Sequence, residues 1–189
     1  MKKILKLIVF VVIVVLIIKY GDKLSQTYIY PKRHADIVRK ECKLYGIEEN
    51  LIYSIMKVES NFKEDASSKA GAKGLMQIMD STAIEVSKQI GIENFEPNML
   101  YKPEINIAIG TKYFSDLLKK YDNNVTMALI AYNAGQGNVD KWLEDKTITY
   151  KEESLKNIPY EETRVYWQKV LREYNSYNIL YEENLEGMK

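Results

Sequence analysis

Residues 52–77 read IYSIMKVESNFKEDASSKAGAKGLMQ, a strongly apolar helix followed by a Ser/Ala/Gly loop. One carboxylate, Glu59, stands on the side of that helix that should be buried. It follows Ile52 by seven residues and Ile55 by four, so at about 100° per residue it lies within roughly 40° of both. Apolar surroundings disfavour a charged carboxylate. So does the negative end of the helix dipole, because Glu59 falls in the last turn. Both effects raise its pKa, which a general acid working near neutral pH requires. The same placement suits a structural ion pair with a buried Lys or Arg, and spacing alone does not choose between the two.

Other chemistries find little support. The chain has one histidine, His34, and one cysteine, Cys42. Both fall on one predicted helix and cannot build a tetrahedral zinc site. His34 sits behind the basic run Lys32-Arg33, a poor setting for Ser-His-Asp or Cys-His catalysis. A lone cysteine forms no intramolecular disulfide, and Cys42 falls on an apolar stripe, as a buried structural thiol would. The expectation is chemistry carried by carboxylates, hydroxyls and amides, with no metal and no cofactor.

The elements that must position Glu59 read as helices throughout. Ile37, Val38, Cys42 and Tyr45 predict a helix from about residue 33 to a stop at Gly46. The Glu59 helix runs from about 48 to 60, with Leu51, Ile52, Ile55, Met56 and Val58 inward. After it, Gly71 and Gly74 would let backbone come close to Glu59 or to a ligand. Asp80-Ser81-Thr82 reads as the next helix start, with Thr82 and Glu85 as a capping box. Pro103 opens a longer helix through Ile107, Phe114 and Leu117. Gly110 inside it costs about 1 kcal/mol against Ala and suggests close helix–helix contact. A short apolar helix spans 125–132, another carries Val139 and Trp142, and 145–157 reads as a charged, exposed loop. Pro159 starts a last long helix with Thr163, Tyr166, Trp167, Val170, Leu171 and Tyr174 on its packing face. No strand alternation and no internal repeat is visible.

At the N-terminus, lysines precede an apolar run of about 15 residues counted from Ile4, against roughly 20 for a comfortable bilayer crossing. Lys6 can snorkel and Tyr20 can sit at the far interface. No small-x-small cleavage site follows Ile18, so an uncleaved transmembrane signal-anchor is expected over 1–20, with a cleaved secretion signal as the alternative. A stalk would follow over 21–32, a globular domain over 33–180 and a tail over 181–189. The lysines put the N-terminus in the cytoplasm and the domain outside, at the cell membrane. Residues 1–19 hold four lysines and no acid, leaving 23 basic and 26 acidic residues in the rest, a net of −3. That balance argues against a nucleic-acid partner. Fifteen tyrosines against four phenylalanines suit either a long polar-edged groove or half-buried helix shoulders.

Four motifs then occur in order: Glu59-Ser60, Gly74-Leu75-Met76-Gln77, Ala131-Tyr132-Asn133-Ala134-Gly135 and Glu162-Thr163-Arg164. Together they resemble the motif set of the lytic transglycosylase (SLT) domain family, lysozyme-like enzymes acting on bacterial peptidoglycan, over roughly residues 34–177. The resemblance implies an all-α, lysozyme-like fold with Glu59 as the catalytic acid. It implies that Ser68, Gln77 and Met79 touch the saccharide, that the Tyr132 hydroxyl faces the carboxyl with Asn133 beside it, and that Glu162 binds substrate. Peptidoglycan glycan strands would be the partner. The reaction implied is cleavage between N-acetylmuramic acid and N-acetylglucosamine without hydrolysis, leaving 1,6-anhydromuramyl ends. A lysozyme-type hydrolase and a non-catalytic peptidoglycan-binding scaffold remain the alternatives, and an accessory of cell-envelope machinery is a further context. Two positions depart from the pattern: Asp80 stands where proline is usual, and Gln136 where proline or glycine often follows.

Overall fold

The structure, a computed structural model, describes residues 2–186. They divide into two compact units: His34–Asn175, and the residues up to Arg33 together with those from Ser176 on. Among the described residues there is no β-strand, only the isolated bridges Ser67↔Lys73 and Lys73↔Ile78, so the all-α expectation is met.

In the larger unit α2 (Ala35–Tyr45), α3 (Glu49–Ser60), α4 (Asp80–Gln89), α5 (Pro103–Lys120), α6 (Val125–Ala134), α7 (Gln136–Glu144) and the start of α8 (Glu161–Glu186) follow in order. α1 (Lys2–Leu24) belongs to the other unit. α3 is the buried helix: Ile52, Tyr53, Ile55 and Met56 are fully inaccessible. α5 packs against α2, α4 and α6. Cys42 is buried and its thiol is pushed up to about 12, chiefly by that burial, as befits an inert packing residue.

Three local readings change. α4 begins at Asp80, with Met79 as the N-cap and no capping side chain, so Thr82 and Glu85 form no box. The charged stretch 145–157 is not simply exposed. Ile148 and Leu155 are buried and Glu152–Asn157 is a 3-10 turn, because two apolar residues suffice to pin a loop whose polar neighbours face water. Gly110 makes no room for a neighbouring helix. A Cβ there would meet the Met76 sulfur at 2.4 Å, so the close contact is between α5 and the loop after α3.

In the smaller unit α1 runs into a π-helical turn, Ser25–Ile29, so the residues read as a stalk are helical through most of their length. That segment is held to the end of α8 by tyrosines. Tyr177 meets Tyr30 edge-on at 5.2 Å and stacks with Tyr181 at 5.9 Å. The Tyr177 and Tyr181 hydroxyls donate to the Pro31 and Tyr30 carbonyls at 3.1 and 2.7 Å. The Lys32 ammonium lies 4.2 Å from the Tyr181 ring centre. The tail expected from 181 continues this helix to Glu186, and 187–189 lie outside the described residues. No single described helix is long and apolar enough to cross a membrane. The pair 2–17 and 19–29, bent by 52°, meets that test together.

Candidate functional site

The site is assembled where α3 ends. Asn61 and Phe62 both take left-handed backbone, with φ of 49° and 62°, and Phe62 is buried. Two such residues in succession reverse the chain sharply, and a buried ring anchors the reversal. The Ser60 hydroxyl lies 2.8 Å from the Leu75 carbonyl and 3.1 Å from that of Met56, sharing its proton between loop and helix.

Asn106, fully buried near the start of α5, grips the same loop. Its Oδ1 accepts from the Met76 amide at 2.8 Å, and its Nδ2 donates to the carbonyls of Lys73 (2.9 Å) and Leu100 (2.8 Å). Gly74 is what allows this approach, since with φ of 74° a Cβ would stand 2.2 Å from the Leu100 oxygen. The glycine therefore brings the loop close to Asn106 and Leu100.

Gln77 follows with φ of 48°, a strained choice for a side chain of its size. Its Nε2 donates to the carbonyls of Ala66 (3.1 Å) and Gly74 (3.0 Å), which leaves Oε1 for the groove. Gln77 lines two adjoining hollows. One, of about 620 Å³, holds Glu59, Ser68, Lys57, Lys63, Lys169 and Glu173. The other, of about 230 Å³, holds Met79, Tyr113, Tyr132 and Asn133. Six of the seven residues singled out from the sequence thus line one continuous surface. A wider cleft of about 750 Å³ beside Glu152, Arg164 and Trp167 contains none of them.

Glu59 is half-buried, enclosed by protein with one edge open to the larger hollow. Burial raises its pKa to about 7. The Glu162 charge raises it too, while Tyr166 and Lys169 oppose the rise. Glu162 lines neither hollow and is exposed on the first turn of α8, where it acts on Glu59 through charge. The Tyr166 hydroxyl is buried beside the carboxyl. No atom among the described residues meets it at regular hydrogen-bond geometry, so its hold on Glu59 is loose.

Tyr132 donates its hydroxyl to the Met76 carbonyl at 2.8 Å. Burial and the nearby Glu59 charge raise its pKa well above the ordinary phenol value. Asn133 is held by Thr163, whose hydroxyl lies 2.7 Å from its Oδ1. Ser68 is exposed, and its hydroxyl accepts from the Ala72 amide at 3.0 Å, closing its own turn.

Asn106, Thr163, Tyr166 and Lys169 are the contributors that sequence reasoning passed over. Thr163 and Tyr166 read as packing residues on an amphipathic face. The available signal was the hydroxyl each carries where Val or Phe would pack as well. Asn106 between two isoleucines carried a similar signal, since an amide inside a helix needs a reason to be there.

The family model described as Transglycosylase SLT domain matches residues 36–155. The soluble lytic murein transglycosylase of Salmonella typhimurium is 34% identical over 161 residues, 84% of this chain and 24% of that protein. A membrane-bound lytic murein transglycosylase C of Yersinia pestis is 35% identical over 57% of this chain and 32% of its own length. Among solved structures, an inactive glutamate-to-glutamine mutant of the lytic transglycosylase Slt from Pseudomonas aeruginosa superposes with a TM-score of 0.72. It is 37% identical over 79% of this chain and 24% of that one. The chain therefore spans about a quarter to a third of the length of these relatives. With the family match covering well over half of it, the chain belongs to the transglycosylase SLT domain family.

Proposed function

We propose that the chain cleaves the β-1,4 bond between N-acetylmuramic acid and N-acetylglucosamine in peptidoglycan, without water, leaving 1,6-anhydromuramyl ends. The observation that carries this reading is Glu59: a half-buried carboxyl that keeps its proton up to about pH 7 and opens into a groove. It protonates the glycosidic oxygen as the bond breaks. The sugar's N-acetyl group stabilises the cationic centre, and its C6 hydroxyl attacks that centre while giving its proton to the Glu59 carboxylate. The proton count closes and Glu59 ends as it began. Ser68, Gln77, Met79, Tyr132 and Asn133 hold the saccharide, and the Glu162 charge adds to the burial that keeps Glu59 protonated.

The supply of other carboxylates favours this route over hydrolysis, since most glycosidases need a second acid across the bond. Glu64 is committed to His34 at 3.2 Å, and Glu173 faces Lys57 at 3.9 Å. Asp65 and Glu162 are exposed and line neither hollow. The test is mass spectrometry of muropeptides released from peptidoglycan. Products one water lighter than reducing sugars are expected. Reducing ends alone would establish a lysozyme-type hydrolase, and binding without release would establish a scaffold.

The N-terminal segment, with apolar side chains exposed from Ile4 to Ile17, anchors the chain to the membrane in this reading. The lysines lie on the cytoplasmic side and the larger unit lies outside. The membrane-bound relative is compatible with this arrangement.

A further inference from the structure

We propose that Lys73 and Asp80 form a clamp that positions Gln77 and Met79 in the groove, an inference that rests on reading the groove as the saccharide site. The two residues bracket the strained stretch. The Lys73 amide donates to the Ile78 carbonyl and the Ile78 amide to the Lys73 carbonyl, both at 3.0 Å, closing a four-residue reversal around Gly74–Gln77. The Lys73 ammonium then reaches beyond this bridge to the Asp80 carboxylate at 2.5 Å, with the Gly71 carbonyl at 3.5 Å. Its side chain is only 17% exposed. Asp80 is the first residue of α4, so the pair ties the reversal to a rigid helix.

The clamp has a strained residue to hold. Gln77, at φ of 48°, keeps that conformation only if its surroundings over-determine it. Gly74 and Asn106 secure the loop on its Leu100 side, and the ion pair secures the other end. Asp80 also stands where the motif comparison expects proline. Met79, at φ −75° and ψ 145°, has the extended backbone that a following proline demands, and the first position of a helix tolerates one. Charge does here what a ring would do by fixing φ.

The test compares the full chain with Asp80→Asn, Lys73→Met and Asp80→Pro. In the first two, hydrogen exchange at the Lys73 and Ile78 amides should quicken about two- to fivefold, as expected for losing a part-exposed ion pair. KM for glycan strands should rise by about the same factor with kcat unchanged. Asp80→Pro should restore both readouts. Unchanged exchange in Asp80→Asn and Lys73→Met overturns the clamp. Faster exchange with unchanged KM overturns its positioning role. Should the parent chain release no muropeptides, the catalytic reading fails, while the exchange measurements still decide whether the clamp exists.

Discussion

Glu59→Gln is expected to lower muropeptide release by roughly 10²–10⁴-fold while making the protein harder to unfold above neutral pH. The two effects share a cause. Folding lifts the carboxyl from its ordinary 4.5 to about 7, mainly by burial, so the folded chain holds this proton over a range where the unfolded chain has lost it. Stability from this group is therefore fully present below about pH 4.5 and is lost as pH rises through about 7. Glutamine has no proton to lose. The unfolding free energies of parent and variant should accordingly coincide near pH 4.5. They should diverge with rising pH and run parallel above about pH 7.5, the variant ahead by about 1–3 kcal/mol. Thermal unfolding across that range checks the divergence. A variant whose lead over the parent is no greater at pH 8 than at pH 4.5 would show that Glu59 is not strained by its site. The parent's turnover should fall along an alkaline limb centred near pH 7, where the acid ceases to be protonated.

Asn106→Leu is expected to be the most damaging substitution outside Glu59, although Asn106 lines neither hollow. The change leaves the Met76 amide and the Leu100 carbonyl without a partner and takes one of two donors from the Lys73 carbonyl, which keeps the Ile78 amide. Unsatisfied buried groups cost about 1–3 kcal/mol each, and with partial relaxation the sum should be about 3–5 kcal/mol. For a chain of this size that corresponds to a fall in Tm of about 10 °C or more. Asn106→Asp is the control: it keeps the acceptor for Met76 but turns a carboxylate toward two carbonyls, and should be no better. Denaturant unfolding measures both. Retained stability in either variant would mean that the loop finds other partners.

The face on which Glu59 sits was legible because helical periodicity is local, and so was the direction of its pKa shift, because burial follows from that face. What periodicity does not reveal is a bond from a side chain on one element to the backbone of another. Tyr132 reaches Met76 across 56 positions and Asn106 reaches Met76 across 30, and neither leaves a trace in the spacing of apolar residues. Tyr166 reads as packing for a related reason, since periodicity shows that a face is buried but not what its hydroxyls meet there. Gly110 signalled close contact but not with what, and its partner, Met76, lies in an irregular loop for which no pattern rule exists. The capping box at Thr82 failed because the helix starts two residues earlier, where Lys73 meets Asp80.

The loop from Ala66 to Ile78 has a consequence for when the chain becomes active. Its own turns meet the carbonyls of Ala66, Ser68, Ala72, Lys73, Gly74 and Ile78, but around Leu75 and Met76 the backbone is met from outside, by Ser60 from α3, Asn106 from α5 and Tyr132 from α6. Such a segment gains order only once those helices have assembled, since each bond closes a long stretch of chain. In pulse-labelled refolding, the amide of Met76 should be protected after those of α5 and α6. A newly made chain thus carries its acid before it has a groove, and the activity proposed for it would be withheld until folding is complete.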